Sequence, residues 1–184
     1  MSGKNHWLAI TICGELIIEV IERCNTMSKM ICLSGMPGSG KTTWALEFLK
    51  NFPDYLYFSP DEYYKRFNGD DRDRSNTFEV WIAMFQDINT AMKNGQNVLV
   101  DSDNLTFHQR MQWIEWFPEF EHQLVFFEED FDVCCDRVRK RRRTIPAEIM
   151  AEKWLKWERP ARQKDGRYWD VYTGSFGGTE FDGR

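Results

Sequence analysis

A glycine-rich segment carries the most specific chemical pattern in the chain. It reads Gly-Met-Pro-Gly-Ser-Gly-Lys-Thr from Gly35 to Thr42, which matches GxxxxGK[ST]. Glycines at this spacing let successive backbone N–H groups point at phosphate oxygens, and a helix that begins near the lysine adds the positive end of its dipole. Lys41 is then expected to reach the β- and γ-phosphates of ATP, and the Thr42 hydroxyl to ligate Mg²⁺. The residues predicted to contact the nucleotide are Gly35, Pro37, Gly38, Ser39, Gly40, Lys41, Thr42 and Thr43.

Two aspartates follow later predicted strands. Asp61 comes after the strand 55–58, within Ser-Pro-Asp-Glu-Tyr, and a carboxylate there can accept the proton of an attacking hydroxyl. The alternative is that Asp61 caps the helix that follows. Asp101 closes the strand 97–100, where we expect it to hold Mg²⁺ through a water molecule or to orient the acceptor. The alternative is a turn, because Asp-Ser-Asp-Asn is a typical turn sequence.

A basic run later in the chain contrasts with the overall charge. The formal net charge is −5, so the protein as a whole does not attract nucleic acid, yet residues 137–143 carry six positive charges in seven residues. Arg137 and Arg141 lie four apart, so a helix would place them on one face. Arginines in a lid neutralise the charge that develops during phosphoryl transfer. The alternatives are a solvent-exposed helix face and contacts with a polyanionic acceptor.

The elements around these residues alternate between strand and helix. Strands are predicted at 29–34, 55–58, 97–100 and 124–127, and helical periodicity follows each of them. The alternation predicts an α/β fold: a mainly parallel sheet of about four to five strands with helices on both faces. Ligands bind beyond the carboxyl ends of the strands in such sheets. The glycine-rich segment lies between a strand and a helix, which favours a phosphate loop over an ordinary glycine turn.

Aromatic residues are abundant, at 15% of the chain with eight Trp. Burial in the core is the simplest explanation, and stacking surfaces for bases or sugars are the alternative. Three of the rings lie in a long predicted helix that follows the polar insert 68–76 and that Gly95 closes. One apolar stripe is predicted on this helix, formed by Phe78, Trp81, Ile82, Phe85, Ile88 and Met92.

The length of 184 residues suits one domain. We expect an N-terminal extension over residues 1–29 with a short amphipathic helix, a main domain over 30–160, and a C-terminal tail over 161–184 without clear periodicity. The five cysteines are odd in number and lack zinc-site spacing, which indicates a reducing compartment. The longest apolar stretch is interrupted by Glu15 and Glu19 and is too short to cross a membrane. A cytoplasmic protein without a membrane partner is therefore expected.

Four segments together resemble a known family. They are the glycine-rich loop followed by Thr-Trp-Ala, the Ser-Pro-Asp-Glu-Tyr segment, Val-Leu-Val-Asp-Ser-Asp-Asn-Leu at 98–105, and the lid segment from Cys135 to Pro146, which contains Arg137 and Arg141. In this order they are similar to the kinase domain of phage-type polynucleotide 5′-hydroxyl kinases, over about residues 30–158. The resemblance implies a P-loop kinase fold with an Arg-rich lid. It also implies ATP-dependent transfer of the γ-phosphate to a 5′-hydroxyl end of DNA or RNA in nucleic-acid end repair.

The same resemblance implies roles for single residues. Lys41 and Thr42 would handle ATP and Mg²⁺, Asp61 would be the general base, and Arg137 and Arg141 would be catalytic lid arginines. The residues expected to contact the acceptor are Asp101, Asn104, Tyr64 and Lys65.

Two departures from the family concern the acceptor. Tyr64 and Lys65 stand where the family often has an arginine for the acceptor's 3′-phosphate, and Asp103 is an additional carboxylate. A small hydroxyl compound such as a sugar acid, nucleoside or antibiotic is therefore an alternative acceptor. A nucleotide-binding regulator without enzymatic activity is the other alternative. The sequence leaves open whether the protein forms a homo-oligomer.

Overall fold

Strands and helices alternate along the part of the chain that the structure describes. The structure is a computed structural model that describes residues 27–141, 145–161, 165–167 and 169–174, so most of the predicted N-terminal extension lies outside it. The strands are β1 (Lys29–Gly35), β2 (Tyr55–Phe58), β3 (Asn97–Val100), β4 (Glu121–Phe127) and β5 (Asp170–Thr173). The α-helices are α1 (Lys41–Asn51), α2 (Pro60–Asn68), α3 (Thr77–Lys93), α4 (Phe107–Trp116), α5 (Phe131–Arg139) and α6 (Ala147–Lys156), and a 3₁₀ turn covers Asp165–Arg167.

The strands form one five-stranded parallel sheet in the order β2-β3-β1-β4-β5. The predicted α/β class is confirmed. The fifth strand comes from the segment predicted as a tail, where Gln123 of β4 pairs with Asp170 and Phe126 pairs with Thr173. The folded region therefore continues past the predicted boundary at residue 160.

The sheet is buried on both faces, as the continuous apolar runs of its central strands predict. In β1, Met30 and Cys32 belong to a cluster with residues of α3 and α4. Ile31 and Leu33, which alternate with them, pack with Trp44 of α1 in a second cluster. None of the helices in the described ranges is both long and apolar enough to cross a membrane.

The buried side of α3 differs from the predicted stripe. Four residues at helical spacing face the core: Val80, Met84, Ile88 and Ala91. Phe78 is 73% exposed and Ile82 is 39% exposed, so two members of the predicted stripe lie outside the core. The difference arises because α3 carries more apolar residues than its sheet-facing side can accommodate. Trp81 and Phe85 flank the buried side rather than form it.

A buried ion pair joins α4 to the C-terminal segment. Arg110 Nε donates to Asp165 Oδ1 at 2.7 Å, and the two side chains are 1% and 0% exposed. Arg110 Nη1 also donates to the carbonyl oxygens of Asn104, Leu105 and Glu158. The C-terminal segment thereby holds the backbone that follows β3, where several predicted site residues lie.

Candidate active site

The glycine-rich loop connects β1 to α1 at the carboxyl edge of the sheet. Gly38 and Gly40 have φ values of +89° and +105°, a region that glycine adopts without strain. A Cβ at Gly38 would lie 2.5 Å from the Cys134 carbonyl oxygen, so α5 leaves no room for a side chain there. Gly40 is the N-cap of α1 and provides no side-chain cap. The loop thus presents the positive end of α1 in the form that phosphate binding requires.

Lys41 lies inside this loop rather than in solvent. Its side chain is 7% exposed, and Nζ donates to the carbonyl oxygens of Gly35 at 2.7 Å and Met36 at 3.0 Å. A third contact joins Nζ to Asp103 Oδ1 at 3.1 Å. The ammonium group is therefore held at the loop, where the sequence predicts that phosphates bind.

Asp103 lies between two lysines. Its second oxygen, Oδ2, accepts a hydrogen bond of 2.6 Å from Lys153 of α6. Burial opposes ionisation of this carboxyl, but the charges of Lys41 and Lys153 outweigh burial and hold the pKa of Asp103 below its ordinary value. Local sequence patterns did not single out Lys153, because only the fold brings α6 to the loop.

Asp101 lies at the end of β3, as predicted, and is 6% exposed. Its Oδ2 accepts hydrogen bonds from Thr42 Oγ1 at 2.6 Å and from the Tyr57 hydroxyl at 2.8 Å. Burial raises the pKa of Asp101 above its ordinary value, although the charge of Lys41 and these two hydrogen bonds act in the opposite direction. Burial, with the charge of Asp101, also raises the pKa of Tyr57, which keeps its hydroxyl a donor.

The contact between Thr42 and Asp101 indicates whether the residues present can hold Mg²⁺. A hydroxyl and a carboxylate that meet at 2.6 Å supply the oxygen ligands that Mg²⁺ prefers. Thr42 is in the first turn of α1, so the contact lies beside the loop predicted to hold the phosphates. The residues present therefore fit a nucleotide-bound Mg²⁺.

The Asn104 side chain forms hydrogen bonds within the protein. It has a φ of +44°, and its Nδ2 donates to the Leu33 carbonyl oxygen at 2.7 Å. Its Oδ1 accepts from Trp113 Nε1 at 2.9 Å, and its carbonyl oxygen accepts from the Ser34 hydroxyl. Asn104 borders the cavity described below, but both polar atoms of its side chain are engaged within the protein.

Asp61 lies in the first turn of α2, two residues after the N-cap Ser59. The capping alternative is therefore not what the structure shows. Its side chain is 50% exposed, and Oδ1 accepts a hydrogen bond of 2.8 Å from Arg74 Nη2. The Arg74 guanidinium stacks on the Tyr64 ring, 3.8 Å from its centre. Lys65, by contrast, is exposed and does not border the cavity.

The two predicted lid arginines take separate positions. Helix α5 ends at Arg139, and the Arg141 N–H bonds the Val138 carbonyl oxygen three residues back. The prediction of a shared helix face is therefore wrong, because the helix stops before Arg141. Arg137 Nη1 donates to the Gly38 carbonyl oxygen at 3.2 Å and pairs with Glu129 at 2.8 Å. Arg141 is exposed and borders the cavity. Residues 142–144 of the basic run lie outside the described residues.

A cavity of about 800 Å³ joins most of these groups. It is lined by residues of the loop and the start of α1, which are Gly38, Gly40, Lys41 and Thr42, and by Asp101 and Asp103. Its wall also contains Asp61, Tyr64, Arg74 and Thr77, and the aromatic residues Trp81, Phe85, Trp113 and Trp116. Residues of α6 and the segment before it line it too, among them Ile145, Ile149 and Lys153.

Comparison with known families identifies the domain. A family model described as an AAA domain matches residues 30–162, which is most of the chain. The chain belongs to this AAA domain family. In this AAA domain the matched region begins in β1 and includes the glycine-rich loop, both strand-end aspartates and all six helices described above.

Solved structures share the fold of this AAA domain. A chain in the structure of the Pnkp1/Rnl/Hen1 RNA repair complex has a TM-score of 0.65 at 20% identity and covers 72% of this chain and 45% of its own. A gluconokinase from Sinorhizobium meliloti 1021 has a TM-score of 0.56 at 17% identity, and the match covers 84% of this chain and 86% of the gluconokinase. Kti12 from Chaetomium thermophilum, in complex with ADP-AlF3, has a TM-score of 0.58 at 16% identity, and the match covers 83% of this chain and 92% of Kti12.

These likenesses establish the P-loop kinase fold. The protein spans less than half of the length of the two RNA repair complex chains that it matches, at 45% and 42%. At such identities a structural likeness shows the fold and not the acceptor.

Proposed function

We propose that the protein is an ATP-dependent kinase that transfers the γ-phosphoryl group to the 5′-hydroxyl end of DNA or RNA. One observation carries the proposal: the phosphate loop with Lys41 and the Asp61–Arg74 pair border the same cavity. A phosphoryl donor and a hydroxyl acceptor must meet in such a cavity for direct transfer.

The ATP side of the proposal rests on the loop. The N–H groups at the start of α1 and the buried ammonium of Lys41 balance the charge on the β- and γ-phosphates. Thr42 and Asp101 are the residues that would hold Mg²⁺, which supplies further charge compensation on the phosphates when bound. Arg141 of the basic run borders the cavity, where it is placed to add a positive charge.

The acceptor side rests on Asp61. In the proposed step the acceptor oxygen forms a bond to the γ-phosphorus, while the bond from that phosphorus to the β–γ bridging oxygen breaks and ADP leaves. The proton of the acceptor hydroxyl passes to the Asp61 carboxylate. Arg74 fixes this carboxylate through a hydrogen bond of 2.8 Å and so limits the directions in which its oxygens can point.

A polynucleotide acceptor is supported by the position of Arg74. A planar guanidinium suits a phosphate group, and here it lies next to the proposed base. The sequence lacks an arginine three residues after Asp61, yet Arg74 stacks on the residue at that position, Tyr64. The likeness to a chain of an RNA repair complex supports the same class of acceptor.

A small hydroxyl compound is the second candidate acceptor. The gluconokinase structure matches over most of both chains, and the net charge of −5 does not favour a polyanion. Salt separates the two candidates, because the affinity for a polynucleotide falls steeply as salt rises and the affinity for a neutral compound does not.

The decisive experiment is a transfer assay with γ-labelled ATP and Mg²⁺. The acceptors are 5′-hydroxyl DNA and RNA oligonucleotides, gluconate and a panel of nucleosides, and Lys41→Met is the inactive control. We expect label on an oligonucleotide and a KM for it that increases with salt. Label on gluconate or a nucleoside alone supports the second candidate. ATP binding with slow hydrolysis and no transfer contradicts both kinase proposals and supports a nucleotide-binding regulator.

A further inference from the structure

One part of the cavity wall is built from aromatic rings. Trp81 and Phe85 of α3 face Trp113 and Trp116 of α4 there. The ring centres of Phe85 and Trp116 lie 4.7 Å apart, and those of Trp81 and Trp113 lie 6.3 Å apart. The rings therefore form one continuous apolar surface on the cavity wall.

Core packing accounts for only part of this surface. The side of α3 that packs on the sheet consists of four other residues, which are Val80, Met84, Ile88 and Ala91. Trp113 is 2% exposed and its indole N–H donates to Asn104, so Trp113 packs against the other rings and adds almost no exposed area. Trp116 is 45% exposed although it borders the cavity, and Trp81 is half-buried. These two rings present apolar area to the cavity itself.

Helix α4 also contributes two glutamines to the cavity lining. Gln109 is engaged in the helix cap, where its side chain accepts from the Thr106 N–H. Gln112, one turn further along the helix, also borders the cavity and carries an amide that can both donate and accept. Flat apolar rings beside amide groups suit a planar heteroaromatic ring better than a sugar acid, which requires several polar partners.

We propose that this aromatic part of the cavity wall binds the terminal nucleobase of the acceptor, with Trp81 and Trp116 as the stacking surface. The inference rests on the proposed polynucleotide kinase function and names its specificity-determining residues. Thr77, one turn before Trp81 in α3, accepts a hydrogen bond of 2.9 Å from the Tyr64 hydroxyl. Arg74 stacks on Tyr64 and bonds Asp61, so the rings adjoin the Asp61–Arg74 pair. A base stacked on the rings would place the sugar of the same nucleotide near that pair. Stacking is tolerant of base identity because every base has an aromatic face.

The test compares two acceptors that differ only in the first base. One is a 5′-hydroxyl oligonucleotide with a normal terminal nucleotide, and the other has an abasic site at that position. We expect the wild-type protein to show a KM about tenfold higher for the abasic acceptor, with the KM for ATP unchanged. Trp116→Ala should raise the KM for the normal acceptor by a similar factor and leave the KM for the abasic acceptor unchanged.

Phe78→Ala is the matched control, because Phe78 lies on α3, is 73% exposed and does not border the cavity. It should leave both KM values unchanged. Trp81→Leu should behave like Trp116→Ala; if it does not fold in a thermal melt, the partly exposed Trp116 and the wild-type comparison carry the test. Equal KM values for the two acceptors in the wild-type protein overturn the inference and leave the kinase function standing. No transfer to either oligonucleotide overturns the proposed function and the inference with it.

Discussion

Arg74 donates a hydrogen bond of 2.8 Å to Asp61, thirteen residues earlier in the chain. The pair connects the first turn of α2 to the insert before α3, so the insert contributes directly to the wall of the cavity. Both side chains are partly exposed, at 40% for Arg74 and 50% for Asp61. A substrate that enters the cavity can therefore reach both the carboxylate and the guanidinium.

Asp61→Asn should abolish most of the transfer activity and leave ATP binding intact. The amide keeps the shape of the carboxyl but cannot accept the hydroxyl proton, so kcat should fall by about a hundredfold or more. Transfer rates and ATP titrations measure the two effects separately. Glu62→Gln is the matched control, since Glu62 is an exposed neighbour that does not border the cavity. Transfer by Asp61→Asn at the wild-type rate would show that another group accepts the proton.

Arg74→Ala should weaken acceptor binding more than ATP binding. If the guanidinium contacts an acceptor phosphate, the variant raises the KM for the oligonucleotide and reduces the slope of log affinity against log salt by about one. Arg72→Ala is the control, because Arg72 pairs with Asp70 outside the cavity. An unchanged salt slope in Arg74→Ala, together with a reduced kcat, would restrict Arg74 to orienting Asp61.

Local patterns predicted β1 to β4, the loop, and the positions of Asp61 and Asp101 after their strands, because each of these features is specified within a few neighbouring residues. The parallel sheet followed from the alternation of strands and helices. Long-range contacts were not accessible in this way. Lys153 meets Asp103 across fifty residues, and Arg110 meets Asp165 across fifty-five. No periodicity in either segment encodes such a contact.

The edge strand β5 and the exposed face of α3 were missed for a related reason. Only four residues form β5, and they pair with an already buried neighbour, so a clear apolar pattern is not required. On α3 the apolar residues exceed one helix face, and the sequence does not say which of them meets the sheet. The cavity, which Trp81 and Phe85 border, is formed only when α3 and α4 pack together.

Asp103→Asn should make the protein more responsive to ATP. In the wild-type protein Asp103 compensates the nearly buried ammonium of Lys41 at 3.1 Å. The neutral side chain removes this charge, so the free variant should lose about 1–3 kcal/mol of stability. Bound phosphates restore the missing negative charge, and ATP should therefore raise the Tm of the variant more than that of the wild-type protein. Equal ATP-induced shifts would show that Lys41 does not depend on Asp103.

Asp101 should produce a pH-dependent stability. Its pKa is raised by burial, so its ionisation is less favourable in the folded protein than in the unfolded chain. The folded protein is therefore favoured over the unfolded chain when Asp101 is protonated. This contribution to the free energy of unfolding is fully present below the unfolded pKa of about 4, and it is lost as pH rises through the higher folded pKa. Without Mg²⁺, Asp101→Asn should therefore raise the Tm at pH 7, and the gain should vanish in acid.

Mg²⁺ with ATP provides the complementary measurement for Asp101. If the carboxylate holds the metal, Mg²⁺ and ATP together should stabilise the wild-type protein more than Asp101→Asn. Thermal melts with and without Mg²⁺ at several pH values measure both effects. A variant that melts below the wild-type protein at pH 7 in the absence of Mg²⁺ would contradict the unfavourable ionisation of Asp101.

Asp165→Ala should destabilise the fold strongly, although Asp165 lies in a segment that the sequence presents as a tail. Its carboxylate is the partner of the fully buried Arg110, and removal of one member of a buried pair leaves an uncompensated charge that costs about 3–5 kcal/mol. Arg110 also holds the carbonyl oxygen of Asn104, so transfer activity should fall as the backbone after β3 loosens. Urea unfolding measures the loss, with Glu152→Ala as the control because Glu152 forms an exposed pair with Lys156. If Asp165→Ala unfolds at the same urea concentration as this control, the buried pair does not attach the C-terminal segment to the sheet.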